Sequence, residues 1–128
     1  MMIDVESADD FDAILKADNA VLFIYAEWSG RALERSEVVE AWERESLAQH
    51  APPDTRIFRV HPWGFPYAAN WLYEQPALQF RNADGNLTCL SAPGTLVWLR
   101  AGSIVDVAKG FVTDLNELDR RTEIAFKR

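Results

Sequence analysis

The sequence predicts an α/β domain, a central sheet with helices on both of its faces. Three observations predict it. Ala20 to Tyr25, "AVLFIY", is a nearly unbroken apolar run that ends at a turn, the pattern of a strand covered on both sides in a parallel sheet. From Gly30 to about Gln49 there is no proline and no further glycine, and the apolar residues keep to one flank. "HAPPD" then breaks that stretch and Arg56 to Val60 extends, so strand, helix, breaker and strand form a βαβ crossover. Beyond the crossover, two successive hairpins and a terminal amphipathic segment complete the order.

Each element has its own warrant. Ile3 to Val5 reads as a short first strand, and Ser7 stands as an N-cap before "ADDFDAILKAD", where Phe11, Ile14 and Leu15 share one helical face. In the long helix, Leu33, Val38, Val39 and Trp42 fall on the inner flank, while Glu34, Arg35, Glu37, Glu40, Glu43 and Arg44 are turned away. "HPWGFPYAANWLYEQ" predicts a third helix entered at Pro66 and ended before Pro76. "ALQFRNADGNLTCL" reads as a hairpin around Ala83-Asp84-Gly85, and Thr95 to Arg100 with Ser103 to Ala108 as a second one around Ala101-Gly102. Thr113 is the expected cap of a terminal helix with Leu115, Leu118, Thr122 and Ala125 on one face. Trp42, Trp71 and Trp98 read as core.

Composition narrows the class. With 128 residues, 48% of them hydrophobic, the chain has material for one cored domain spanning 1–128. The formal charge of −7 repels phosphate backbones and anionic headgroups, so neither nucleic acid nor a membrane surface is an expected partner. The start "MMIDVESADD" is acidic and has no basic segment leading an apolar one, which makes a cytoplasmic chain the expectation. A lone cysteine, Cys89, cannot form an internal disulfide or run intramolecular dithiol chemistry. His50, His61 and Cys89 are far apart in sequence without ligand spacing, so no metal or other cofactor is expected.

Two segments carry a family resemblance. "FDAILKADNAVLFIYAEWSG" resembles the stretch of thioredoxin that runs from its first helix into its redox turn, and "TLVWLRAGSIVDVAKGF" resembles its last hairpin. The turn "AEWSGRALERS" is similar to the family's "AEWCGPCK". The resemblance implies a thioredoxin-like three-layer α/β/α sandwich with a mixed central sheet, and it covers about two thirds of the chain. The middle segment admits two registers. One puts Pro76 at the family's cis-proline position; the other, preferred because the sequence after Thr95 tracks the family to the end, puts Pro93 there and makes residues 76–92 an insertion before the last hairpin.

What the resemblance implies chemically is then absent. The family uses a low-pKa thiolate at a helix start, a resolving thiol and a buried carboxylate on the preceding strand. Those positions hold Ser29, Ala32 and Phe23, with Arg31 where the proline stands. No catalytic residue is assigned. Ser29 is a natural N-cap; His61 would end a parallel strand on the same edge, yet no acidic partner completes a nucleophilic arrangement. Arg31 in a first helical turn opposes the helix dipole, so it either meets an anionic group on a partner or pairs locally with Glu27 or Glu34.

Trp28, Ser29, Arg31, His61, Trp63 and Pro93 gather at the carboxyl ends of the parallel strands, the edge where open α/β sheets place their sites. For Trp63 a core position at the top of the sheet is the competing reading. Shape kept without chemistry points to a redox-inactive, bacterial-style binding domain: an adaptor, chaperone-like or inhibitory protein whose charge favours a basic protein partner. The alternative is a thiol-dependent enzyme using Cys89, although a cysteine among apolar strand neighbours is usually inert packing.

Overall fold

The computed structural model describes residues 2–25, 30–61, 70–72, 74–78, 80–81, 84, 87–88, 95–108 and 114–127, and the side chains of 30–33, 77, 80–81 and 87–88 are not among what it describes. Among the described residues there are seven strands: β1 (Ile3–Asp4), β2 (Asn19–Ile24), β3 (Arg56–Val60), β4 (Phe80–Arg81), β5 (Leu87–Thr88), β6 (Leu96–Arg100) and β7 (Ser103–Ala108). Five of them form the central sheet, in the order β1-β3-β2-β6-β7. Strands β1, β3 and β2 run parallel, β6 is antiparallel to β2, and β7 is antiparallel to β6. The sheet is therefore mixed, as expected.

Two apolar clusters cover its faces. Val21, Phe23, Tyr25, Ile57 and Trp98 meet Val39 and Trp42 of helix α2 (Gly30–Trp42), together with Leu118 and Ala125 of the terminal helix α4 (Leu115–Ala125). On the opposite face Leu22, Ile24, Val60, Val97 and Leu99 meet Phe11 and Ile14 of α1 (Ala8–Lys16) together with Leu72 and Leu78. Because β2 is buried on both faces, every residue of "AVLFIY" is interior, which is why the run lacks alternation. The three-layer α/β/α architecture follows.

Most elements lie where periodicity puts them. Ser7 caps α1 by accepting from the Asp10 amide at 3.1 Å, and Asp10 reaches back to accept from the Glu6 amide at 3.1 Å. Trp42 and Trp98 are fully buried, whereas Trp71, read as core, is only half-buried with its ring edge-on to Phe11 at 5.5 Å. Residues 70–72 are helical, at the expected end of the third helix; its start at Pro66 lies outside the described residues. The terminal helix is capped by Asp114, whose side chain accepts from the Asn116 amide at 2.9 Å, rather than by Thr113, which lies outside the described residues. Asp114 is extended and adjoins the first helical residue, the position from which a short carboxylate reaches a free amide.

The long helix departs from regularity at its end. After Trp42 it widens into a π-helical turn, Glu43–Leu47, and closes with one α-turn, α3 (Ala48–His50). Residues 42 and 46, four apart, lie on one side of it. Both then reach Asp119 of α4, through Trp42 Nε1 at 2.9 Å and Ser46 Oγ at 2.6–2.7 Å.

The middle segment settles in part. Pro76 opens a 3-10 turn, Pro76–Leu78, and does not lead into β6, so it does not take the position before the last hairpin. The predicted first hairpin is present as a separate pair, β4 with β5, outside the five-stranded sheet, in keeping with an insertion. Pro93 lies outside the described residues, two positions before Thr95, whose carbonyl accepts from the Ile24 amide at 2.9 Å.

The last hairpin turns at Ala101 and Gly102, with φ of 51° and 81°, the positive values that tight two-residue turns require. Its tip is tied back by the Ala101 amide, which donates to Asp18 O at 2.9 Å. Within β7 the ladder slips: Asp106 pairs with Trp98 but Ile104 with Leu99, leaving Val105 as a bulge. Through that extra residue Ile104 and Val107 both face the α1 side, while Asp106 faces α4 and pairs with Arg121 at 3.4 Å.

Candidate functional site

The carboxyl ends of β1, β3 and β2, with the start of α2 beside them, form the edge that the sequence singles out. Backbone bonds hold it: the Tyr25 amide donates to Val60 O at 2.9 Å and the Val5 amide to Arg59 O at 3.0 Å. Strand alternation places Arg59 in the same row as buried Ile57, on the α2 side of the sheet, and pairs it in register with Asp4 and Phe23.

A cation in that row needs partners, and it has several. Arg59 donates to both oxygens of Asp4, from Nε at 2.5 Å and from Nη2 at 3.0 Å, and to Ser36 Oγ of α2 at 3.3 Å. Its guanidinium lies 4.9 Å from the centre of the Tyr25 ring. His61 stands edge-on to the same ring at 5.1 Å, and its Nε2 is 3.4 Å from Asp4 Oδ1. The Arg59 hydrogen bond holds the Asp4 carboxyl below the usual carboxylate range, with His61 adding to it, and Asp4 raises Arg59 in return.

Of the predicted residues, His61 is brought to this cluster. Arg31 is the second residue of α2, its side chain outside what the structure describes; Trp28, Ser29, Trp63 and Pro93 lie outside the described residues altogether. His61 therefore has an acidic neighbour after all, Asp4, together with Tyr25. Asp4, Tyr25, Ser36 and Arg59 are residues that sequence reasoning passes over. The available signal is an arginine and an aspartate inside short strands, one of each sign, each near its strand's carboxyl end.

Phe23 is decisive for the chemistry of the edge. It is fully buried, packed in the cluster of Val39, Trp42, Leu96 and Trp98, with its ring 6.1 Å from that of Tyr25. Among the described residues no three His, Cys, Asp or Glu side chains are grouped to hold a metal ion, and no helix is long and apolar enough to cross a membrane.

Solved structures share the fold. Malassezia sympodialis thioredoxin (Mala s 13) aligns with a TM-score of 0.68 at 17% identity, over 98% of this chain and 90% of that one. The fold is that of thioredoxin. Fasciola hepatica thioredoxin aligns over 98% of this chain and 100% of its own at 21% identity and a TM-score of 0.65. Thioredoxin from Trypanosoma brucei brucei aligns at 15% identity and a TM-score of 0.66, over 100% of this chain and 93% of that one. No family model and no curated protein matches the chain. Within this fold, Phe23 lies on β2, the strand that precedes α2, and the Asp4–Arg59–His61 cluster lies at the carboxyl ends of β1 and β3 beside it.

Proposed function

We propose that this domain is a redox-inactive, cytoplasmic protein-binding module, and not an enzyme, which holds a partner polypeptide at the strand-end edge. The observation that carries the reading is Phe23: the strand position that the resemblance assigns to a carboxylate is filled by a ring sealed in apolar core. Ser29 and Ala32 stand where two thiols would be needed, and the chain has one cysteine. Arg59 and His61, whose side chains are about a quarter exposed and rest against the buried Tyr25 ring, supply polar groups of the kind that binding surfaces use. The net charge of −7 favours a basic partner.

Dithiothreitol-dependent insulin reduction tests the redox half. The expected rate equals background. Turnover that survives Cys89→Ser overturns the reading, and turnover abolished by Cys89→Ser replaces it with a thiol enzyme.

The binding half is tested with the partner recovered by affinity purification. Arg31, set against the helix dipole, is the residue that folding explains least. Arg31→Glu is expected to weaken the complex by about 2 kcal/mol, roughly thirtyfold, with the melting temperature nearly unchanged. A double charge reversal at Glu40 and Glu43, on the outer flank of the long helix, is the control. Loss of binding in the control with normal binding by Arg31→Glu moves the site to the acidic helix.

A further inference from the structure

A second polar cluster lies away from the strand-end edge, where the end of the long helix meets α4. Asp119 is mostly covered, its side chain 14% exposed, and it accepts from Trp42 and Ser46 as described above. His50, the last residue of α3, places Nε2 at 3.4 Å from Asp119 Oδ2 and Nδ1 at 2.5 Å from Glu123 Oε1. The aspartate stands between hydroxyl and imidazole, so the cluster lacks the hydroxyl–imidazole contact that a serine nucleophile needs.

Proton counting gives the cluster its meaning. A neutral imidazole carries one N–H and one lone pair, while the imidazolium donates from both nitrogens. Both nitrogens of His50 face carboxylate oxygens, so either neutral tautomer turns a lone pair toward a carboxylate. The shorter contact, to Glu123, retains the remaining proton. The lone pair then falls toward Asp119, the more deeply covered acid and the one that anchors Trp42 and Ser46.

We propose that His50 is a pH-sensitive fastening between the end of the long helix and α4: as imidazolium it bridges Asp119 and Glu123 and holds this corner closed, and losing the proton loosens it. The charged groups that face the ring from α4 are those two carboxylates. The adjoining π-helical turn carries Glu43, Arg44 and Glu45, of which Arg44 and Glu45 pair with each other at 3.8 Å, and no described lysine or arginine acts on the ring. The hydrogen bond to Glu123 raises the His50 pKa, and the charges of Asp119 and Glu123 add to it. A group raised in the folded state stabilises fully below its unfolded pKa, and that contribution is lost as pH rises through the folded value.

The test follows the His50 ring resonances and the Trp42 indole N–H of the full chain by NMR between about pH 5 and about pH 9, assigned with His50→Gln and Trp42→Phe. The expected midpoint for His50 lies above the value of about 6.5 for an unstructured histidine, and the Trp42 signal shifts with the same midpoint. Glu123→Gln, at a side chain 59% exposed and so harmless to folding, is expected to lower the midpoint. A midpoint at or below about 6.5, a Trp42 signal that ignores it, or a midpoint unmoved by Glu123→Gln overturns the proposal.

Discussion

Phe23→Asp is expected to lower the unfolding free energy by about 4 kcal/mol or more, measured by denaturant unfolding at neutral pH. Two losses combine. Removing a fully buried phenyl ring from the α2-facing cluster that also holds Val39, Trp42 and Trp98 forfeits its packing there and leaves a cavity, which for Phe to Ala costs about 3–5 kcal/mol. The new carboxylate must also be buried without a free partner. Arg59, its register neighbour on β3, already donates to Asp4 and Ser36, so pairing with it breaks an existing set of bonds. Burial raises the pKa of such a carboxyl, so the penalty is largest above its folded pKa and shrinks as pH falls through it toward the unfolded value. Phe23→Leu, which changes shape alone, is the comparison at about 1 kcal/mol. Equal stability of the aspartate variant and the wild type would mean that the strand end is a polar site and the redox-inactive reading is unsound.

Gly102→Ala is expected to cost about 2–4 kcal/mol. At φ +81° the backbone is in the left-handed region that a side chain disfavours, and a Cβ there would sit 2.6 Å from the carbonyl oxygen of Leu15. That oxygen belongs to the last turn of α1 and is not the end of a flexible side chain, so relief requires moving the hairpin off the helix. The Ala101 amide, bonded to Asp18 O, resists that movement. A loss in unfolding free energy below about 1 kcal/mol would show that the hairpin tip is free to shift.

The layers are legible in the sequence because burial leaves a period. "AVLFIY" is apolar on both sides since β2 is covered on both sides, and the helices of the α2 face show their stripe at Val39, Trp42, Leu118 and Ala125. The π-helical turn is not legible. It lasts from Glu43 to Leu47, one turn, too short for its wider period to stand out from the α-helical one around it, and Asp119, to which Trp42 and Ser46 donate, is far along the chain. The bulge is hidden for a similar reason: "SIVDVA" reads as an ordinary alternating strand until Ile104 and Val107 are seen to need the same face. At the candidate site, His61 stands out because it follows an extended run, while Arg59 passes as one of the charges in "RIFRV". Only the pairing of β1 with β3, which puts Asp4 opposite Arg59, gives that arginine a role.

The slip at Val105 also bears on how the protein behaves among its own copies. A strand on the rim of a sheet presents its unpaired amides and carbonyls to other chains, and segments of about six regular residues are long enough to seed cross-β stacking. β7 is such a rim, and among the described residues no strand pairs with its outer side. Val105 divides it into the regular stretches 103–104 and 106–108, with Asp106 adding a charge next to the break. The opposite rim, β1, is only Ile3–Asp4. Among the described residues neither rim of this sheet offers the long flat template on which fibrils grow, and on the β7 side it is one supernumerary valine that shortens it.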